Sequence, residues 1–185
     1  MPTADDTARV AGLDARESLP NGPPMKDAAL RIAIADTDAD VSAVAALFRA
    51  YASSIGVDLN YQGFDAELAT LPGQYAAPAG VLLLARRADG EPLGCVGLRR
   101  LQGDVAEMKR LYVSPAARGL GLGRALLDAV LAAAGDLDYA EVRLDTLPTM
   151  HAAIAMYRSA GFTAVAPYYD TAPAGTLFFA RRIVG

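Results

Sequence analysis

Arg118 to Arg124, RGLGLGR, sets Gly119, Gly121 and Gly123 at alternate positions between two arginines, just ahead of the apolar run ALLDAV. Three kinds of phosphate site use glycines in this way. A Walker A loop needs Lys and then Ser or Thr after its last glycine, and neither is present. A dinucleotide fingerprint, G-x-G-x-x-G, meets Arg124 or Leu126 where its third glycine should stand, and the spacer SPAA before the glycines is too long. The third kind is a cradle of main-chain N–H groups at a helix start. Glycines there let an anion approach and permit the left-handed backbone that converging N–H groups need. The helix dipole contributes about 0.3–1 kcal/mol. Charge-assisted bonds from Arg118 and Arg124 would add roughly 1.5–3 kcal/mol each. Glycines that let a helix lie close on a sheet would give the same spacing, and the residues alone leave both readings open.

Other reactive residue types are scarce. Cys95 is the single cysteine and lies in the apolar run PLGCVGL, so it is expected to be a buried thiol. With no internal disulfide available, the chain suits a reducing, cytoplasmic compartment. His151 is the single histidine; its residue type suits proton transfer near neutrality, but its place at a helix start predicts an exposed side chain. No Cys/His cluster suggests a metal site, so none is expected. A formal net charge of −4 argues against nucleic acid as a partner. Residues 1–27 mix Asp, Arg, Pro and Gly without an apolar core segment. They resemble neither a secretory signal nor a membrane anchor, and they read as a disordered extension ending near NGPP.

The elements that must position these residues follow from periodicity. LRIAIA reads as a strand. In the helix that follows, Val41, Val44, Leu47 and Phe48 recur at helical spacing, with Asp36 or Thr37 as cap. FDAELATL is a shorter helix. GVLLLARR and EPLGCVGLRRL form a hairpin through an Asp-Gly turn, and GDVAEMKRLYV is the next strand. After the glycines come a helix to about Ala134, the strand AEVRLD, and the helix TMHAAIAMYRSA stopped by Gly161. Two strands near FTAVAPYY and TLFFARRI close the chain. Hairpins followed by a β-α-β-α-β run predict one α/β domain over residues 28–185, with a mostly antiparallel twisted sheet of about six to seven strands and about four helices.

LYVSPAARGLGLGRALL resembles the acetyl-coenzyme A signature of the GNAT superfamily of N-acetyltransferases, [QR]-x-x-G-x-[GA], matched by Arg118, Gly121 and Gly123. AAIAMYRSAGF resembles the family's later helix, matched by Ala153, Tyr157, Gly161 and Phe162, although Met150 replaces the Asn common at its start. The resemblance implies the GNAT fold and acetyl-CoA as co-substrate. Its contacts would come from Leu111, Tyr112 and Val113 and from Arg118, Gly119, Leu120, Gly121, Leu122, Gly123 and Arg124. Main-chain groups of Leu111 and Val113 would bond the pantetheine arm. Tyr157 matches the family's proton donor to the leaving sulfur, and Glu107 the place of a glutamate base in some members. Helical spacing of Met150, Ala153, Ile154 and Tyr157 also makes Tyr157 a candidate core residue. Glu107 also reads as a partner for a nearby Arg, and it stands roughly 13 Å before Leu111 along an ideal strand.

The implied activity is acetyl transfer to a primary amine in a ternary complex, on a small-molecule or peptide acceptor. A homodimer is compatible with the sequence, and no membrane is expected as a partner. A domain that binds acyl-CoA as a sensor without turnover is the other reading. Tyr61, Tyr168, Tyr169 and Asp170 lie in segments that often border the acceptor pocket in this family.

Overall fold

The computed structural model describes residues 30–170 and 172–183, apart from the side chain of Tyr61. The expected extension over 1–27 lies outside the described residues, as does Thr171 of the late loop. Strand β2, Val81–Arg86, is apolar along nearly its whole length because both of its faces are covered. Leu82 and Leu84 join one apolar cluster; Val81, Leu83 and Ala85 join the other. The period of two distributes one strand between two layers.

The first layer holds α1 (Asp38–Ile55) and α2 (Phe64–Thr70), which bury Val44, Leu47, Phe48 and Phe64. Thr37 caps α1, accepting a bond from the Asp40 N–H at 3.1 Å, and Gly56 ends the helix in the left-handed region. The second layer holds α3 (Leu122–Asp136) and α4 (His151–Ser159). Helix α3 buries Leu122, Leu126, Leu127, Val130, Leu131 and Ala134, one face of a helix at 3.6 residues per turn. Gly161, at φ +85°, follows the end of α4.

Among the described residues the sheet has seven strands in the order β1-β2-β3-β4-β5-β7-β6. Here β1 is Arg31–Ile34, β3 Pro92–Gln102, β4 Val105–Val113, β5 Glu141–Thr146, β6 Thr163–Ala164 and β7 Leu177–Arg182. All neighbours are antiparallel except β4 and β5. Strand β6 is shorter than its sequence suggests. Val165 still donates to Phe178 O at 2.9 Å, but Pro167 has no N–H with which to continue the ladder.

Two irregularities position the site. Strands β4 and β5 pair only at Val105–Glu107 with Glu141–Arg143. On its other edge β4 carries a bulge: Cys95 faces Tyr112 and Gly97 faces Lys109, which leaves Arg110 and Leu111 opposite Val96 alone. Arg110 takes φ +59°, a left-handed conformation rare for a residue with a side chain. A bulge bends and twists its strand, so β4 turns away from β5 just beyond their last pair.

Candidate functional site

The split between β4 and β5 opens onto a groove and a slot. The groove, of about 700 Å³, runs between Leu111–Val113, the segment from Ala117 to Arg124, and the start of α4 with Met156. The slot, of about 30 Å³, lies between Met108–Leu111 and Leu144–Leu147 and carries Tyr157 on its wall. Leu111, Met150 and Tyr51 line both, so the two spaces meet there.

Part of the groove wall is main chain, beside the side chains of Tyr51, Met150 and Met156. Among the described residues no strand pairs with β4 on its β5 side beyond Glu107, so peptide groups directed that way are available to a ligand. At the start of α3 the first intrahelical bond is donated by Ala125 to Gly121 O, at 3.1 Å. The N–H groups of Leu122, Gly123 and Arg124 therefore have no partner within the helix, and no side chain caps it.

The conformation of the glycines bears on the two readings left open by the sequence. Gly119 (φ +78°) and Gly121 (φ +77°) are left-handed, and a Cβ at either would meet nothing within 4 Å. They permit a backbone shape and leave open space beside the amides, rather than relieving a tight helix contact. Only Gly123 packs, and at ordinary distance: its Cβ would lie 3.7 Å from Met156 and from Val113. Arg118 and Arg124 are exposed at the rim, Arg124 paired with Asp128 at 2.8 Å. Leu120 is 42% exposed, whereas Leu122 is core. Tyr112 lines the groove while its ring packs edge-on to Tyr51, centroids 6.3 Å apart. These residues fit a diphosphate chemically: an open cradle of unpaired N–H donors with guanidinium groups beside it.

The slot is built by side chains. Tyr157 is 5% exposed, and burial first, then the nearness of Tyr51 and Asp145, pushes its phenol above the usual range. Below it runs a chain of ion pairs. Lys109 Nζ donates to Asp145 Oδ1 at 2.6 Å and stands 3.7 Å from Glu107 Oε1. Arg110 clasps Glu67 at 2.6 and 3.2 Å and donates to Gln62 Oε1 at 2.7 Å. Gln62 Nε2 in turn donates to Asp145 Oδ2 at 3.2 Å. Burial alone would raise the Asp145 carboxyl. The Lys109 charge, with hydrogen bonds from Lys109 and Tyr169 and the Arg110 charge, outweighs it and holds the group below the usual carboxylate range.

Glu107, expected as a base, does not line the slot. Arg99 stands directly opposite it on β3 and donates twice to Oε2, at 2.7 and 2.9 Å; Tyr168 donates to Oε1 at 3.0 Å. Its reading as an arginine partner is the one that this geometry supports. Tyr168 and Tyr169 do reach the network, by way of Glu107 and of Gln62 and Asp145. His151 is exposed and lines the groove, away from the slot. Cys95 is fully buried and its thiol is pushed up by burial, so it stays protonated. Met150, where the family motif carries Asn, gives no side-chain cap to α4, and its sulfur accepts from Thr146 Oγ1 at 3.5 Å. Sequence reasoning missed Lys109, Asp145, Glu67 and Gln62. The available signal was three charges, Glu107, Lys109 and Arg110, inside a strand flanked by buried ones.

Among the described residues no helix is long and apolar enough to cross a membrane, and no group of three or more His, Cys, Asp or Glu could hold a metal ion. Residues 44–162 match the model of the acetyltransferase (GNAT) family. An uncharacterized N-acetyltransferase of Schizosaccharomyces pombe is 38% identical over 146 residues, 78% of this chain and 90% of its own. An aminoglycoside N(6')-acetyltransferase type 1 of Klebsiella aerogenes is 38% identical over 103 residues, 52% of this chain and 67% of its own. In fold the chain is similar to a Staphylococcus aureus acetyltransferase of the GNAT family, with TM-score 0.71, 19% identity, and 84% and 100% of the two chains covered. It is also similar to a Salmonella typhimurium protein solved with its cofactor acetyl-CoA, with TM-score 0.67, 22% identity, and 84% and 95% covered. The split sheet, the glycine turn ahead of α3 and these likenesses agree: the chain belongs to the GNAT family of acetyltransferases and is an acyltransferase.

Proposed function

We propose that this enzyme moves an acetyl group from acetyl-CoA to a primary amine by direct attack within a ternary complex, in a domain that begins near residue 28. The observation that carries the reading is continuity: the groove beside the glycine turn meets, at Leu111, a slot walled by the buried Tyr157 phenol. The Salmonella relative's cofactor supports the choice of acetyl-CoA.

Acetyl-CoA supplies the activated acyl group. The N–H groups at Gly119–Arg124, with Arg118 and Arg124, would hold the diphosphate, and main-chain groups of Leu111 and Val113 the pantetheine arm. A peptide N–H beside the slot polarises the thioester carbonyl and steadies the charge that builds on its oxygen. Tyr157 gives its proton to the departing sulfur. With ordinary values a phenol near ~10 and a thiol near ~8.5 make that transfer uphill by about 2 kcal/mol. Burial raises the phenol, and a thiolate leaving into the same apolar surroundings is raised as well, so the gap stays modest. Cys95 is buried and protonated, which favours direct transfer over an acyl-cysteine. A thiol in that state also fits a reducing cytoplasm.

A screen of many amines with acetyl-CoA, read by release of free thiol, tests the reading. Thiol release above the buffer rate with at least one amine is the expected result. Strong CoA binding with no turnover on any amine would leave a sensor.

A further inference from the structure

The acceptor still needs a seat, and three carboxylates of the buried network compete for that role. We infer that Asp145 receives the acceptor's amine head, through a hydrogen bond to its carboxylate, and that the slot around it admits only an unhindered primary amine. The inference rests on the acetyl-transfer reading above.

Position selects Asp145. It lines the slot with Tyr157, whereas Glu67 and Glu107 do not. Glu67 is clasped by Arg110 and also accepts from Tyr75 at 2.6 Å. Glu107 is held from above by Arg99 and Tyr168. The Asp145 side chain keeps 11% of its surface exposed. A carboxylate accepts about four hydrogen bonds. Among the described residues Lys109, Gln62 and Tyr169 supply three, and Asp145 lines the slot, where an amine can supply the fourth.

Charge selects the form that is bound. A bare carboxylate would stabilise an ammonium and oppose the attack, because only the neutral amine is a nucleophile. An amine of pKa ~10.4 already costs roughly 4.6 kcal/mol to deprotonate at pH 7. Lys109, 2.6 Å away, offsets the Asp145 charge. The pair therefore presents a hydrogen-bond acceptor with little net field, suited to a neutral N–H. For the neutral amine the atoms balance without an outside proton. Nitrogen bonds the acyl carbon, the carbon–sulfur bond breaks, sulfur takes the Tyr157 proton, and the proton shed by nitrogen restores the phenol.

Size selects the amine. About 30 Å³ is room for one or two water-sized groups. An –NH2 head matches such a space, and an N-methyl group adds a carbon to what these walls must hold, which is the basis of the selectivity inferred.

The test uses the full chain, saturating acetyl-CoA and n-butylamine or N-methylbutylamine, read by thiol release above the enzyme-free rate at one pH of ~8, where both amines, with ordinary values of ~10.4, have similar small neutral fractions. The wild type should prefer n-butylamine by roughly 10- to 200-fold, the range for one extra carbon in a fitted site. Asp145→Asn should lower kcat/KM for n-butylamine by roughly 10- to 150-fold, most of it in KM, while the CoA-induced rise in melting temperature stays at the wild-type value. Equal use of the two amines, wild-type kcat/KM in Asp145→Asn, or no release with n-butylamine from a protein that CoA still stabilises would overturn the inference. If Asp145→Asn fails to fold, the wild-type amine preference decides alone. Loss of CoA stabilisation in the wild type would instead strike the acetyl-transfer reading itself.

Discussion

Along the groove the wall includes peptide groups: the bulged end of β4 and the N–H groups at the start of α3 that have no partner within the helix. Around the slot it is built by side chains, braced by a network that reaches from Gln62 to Tyr169 and held by hydrogen bonds and ion pairs. A main-chain wall depends on backbone shape and tolerates most side-chain changes. A side-chain wall fails at single residues, because removing one partner strands a buried charge. The groove should therefore vary little in ligand while the slot sets the acceptor, and substitutions on the two sides should separate binding from turnover.

The largest expected effect lies on the wall of the slot. Tyr157→Phe keeps the ring and its packing on Phe162, centroids 5.9 Å apart, but removes the transferable proton. Turnover should fall by ~10²–10⁴-fold, with CoA stabilisation unchanged. A loss of stability in step with the loss of activity would mark the hydroxyl as structural.

Next comes the buried pair of the slot side. Arg110→Met should cost about 3–5 kcal/mol in urea denaturation by stranding Glu67. Adding Glu67→Leu should recover much of it, and an additive double mutant would deny the coupling. A smaller effect follows acid. The Asp145 carboxyl lies below its ordinary pKa in the fold. Its contribution is complete above the unfolded value near ~3.9 and is lost as pH falls through the lower folded value. Asp145→Asn should flatten stability against pH in that window alone. The smallest effect is at the groove rim. Arg124 is about half exposed and already shares its charge with Asp128, so Arg124→Ala should weaken CoA binding only a few-fold and reduce its salt dependence. An unchanged salt dependence would take Arg124 out of the phosphate contacts.

The same contrast governs what could be read from the sequence. Local signals told true: Thr37 caps α1, the LLL run is a central strand, and Gly161 follows α4 in the left-handed region. The glycine turn ahead of α3 was legible because consecutive residues build it. The slot was not. Arg99 faces Glu107 only because β3 and β4 pair in one register, and Lys109 meets Asp145 only because β4 and β5 lie side by side. Nothing in AEMKRLYV announces that Arg110 takes a left-handed backbone in a bulge, since residues with side chains rarely do. Spacing along an ideal strand therefore described Glu107 without locating its partners.

Thermal melting of wild type and Gly121→Asp, each with and without CoA, tests the central claim most directly. Asp visits the left-handed region more readily than most residues with a side chain, at a modest cost in strain, and a Cβ at Gly121 would meet no protein atom within 4 Å. The two proteins should thus melt within a few degrees of each other without ligand. At a CoA concentration near 100 times Kd, the wild type should gain roughly 5–10 °C. Gly121→Asp should gain almost nothing, because a carboxylate then stands in the cradle. Equal gains in both proteins, or as large a gain from ATP or NAD as from CoA, would contradict the account.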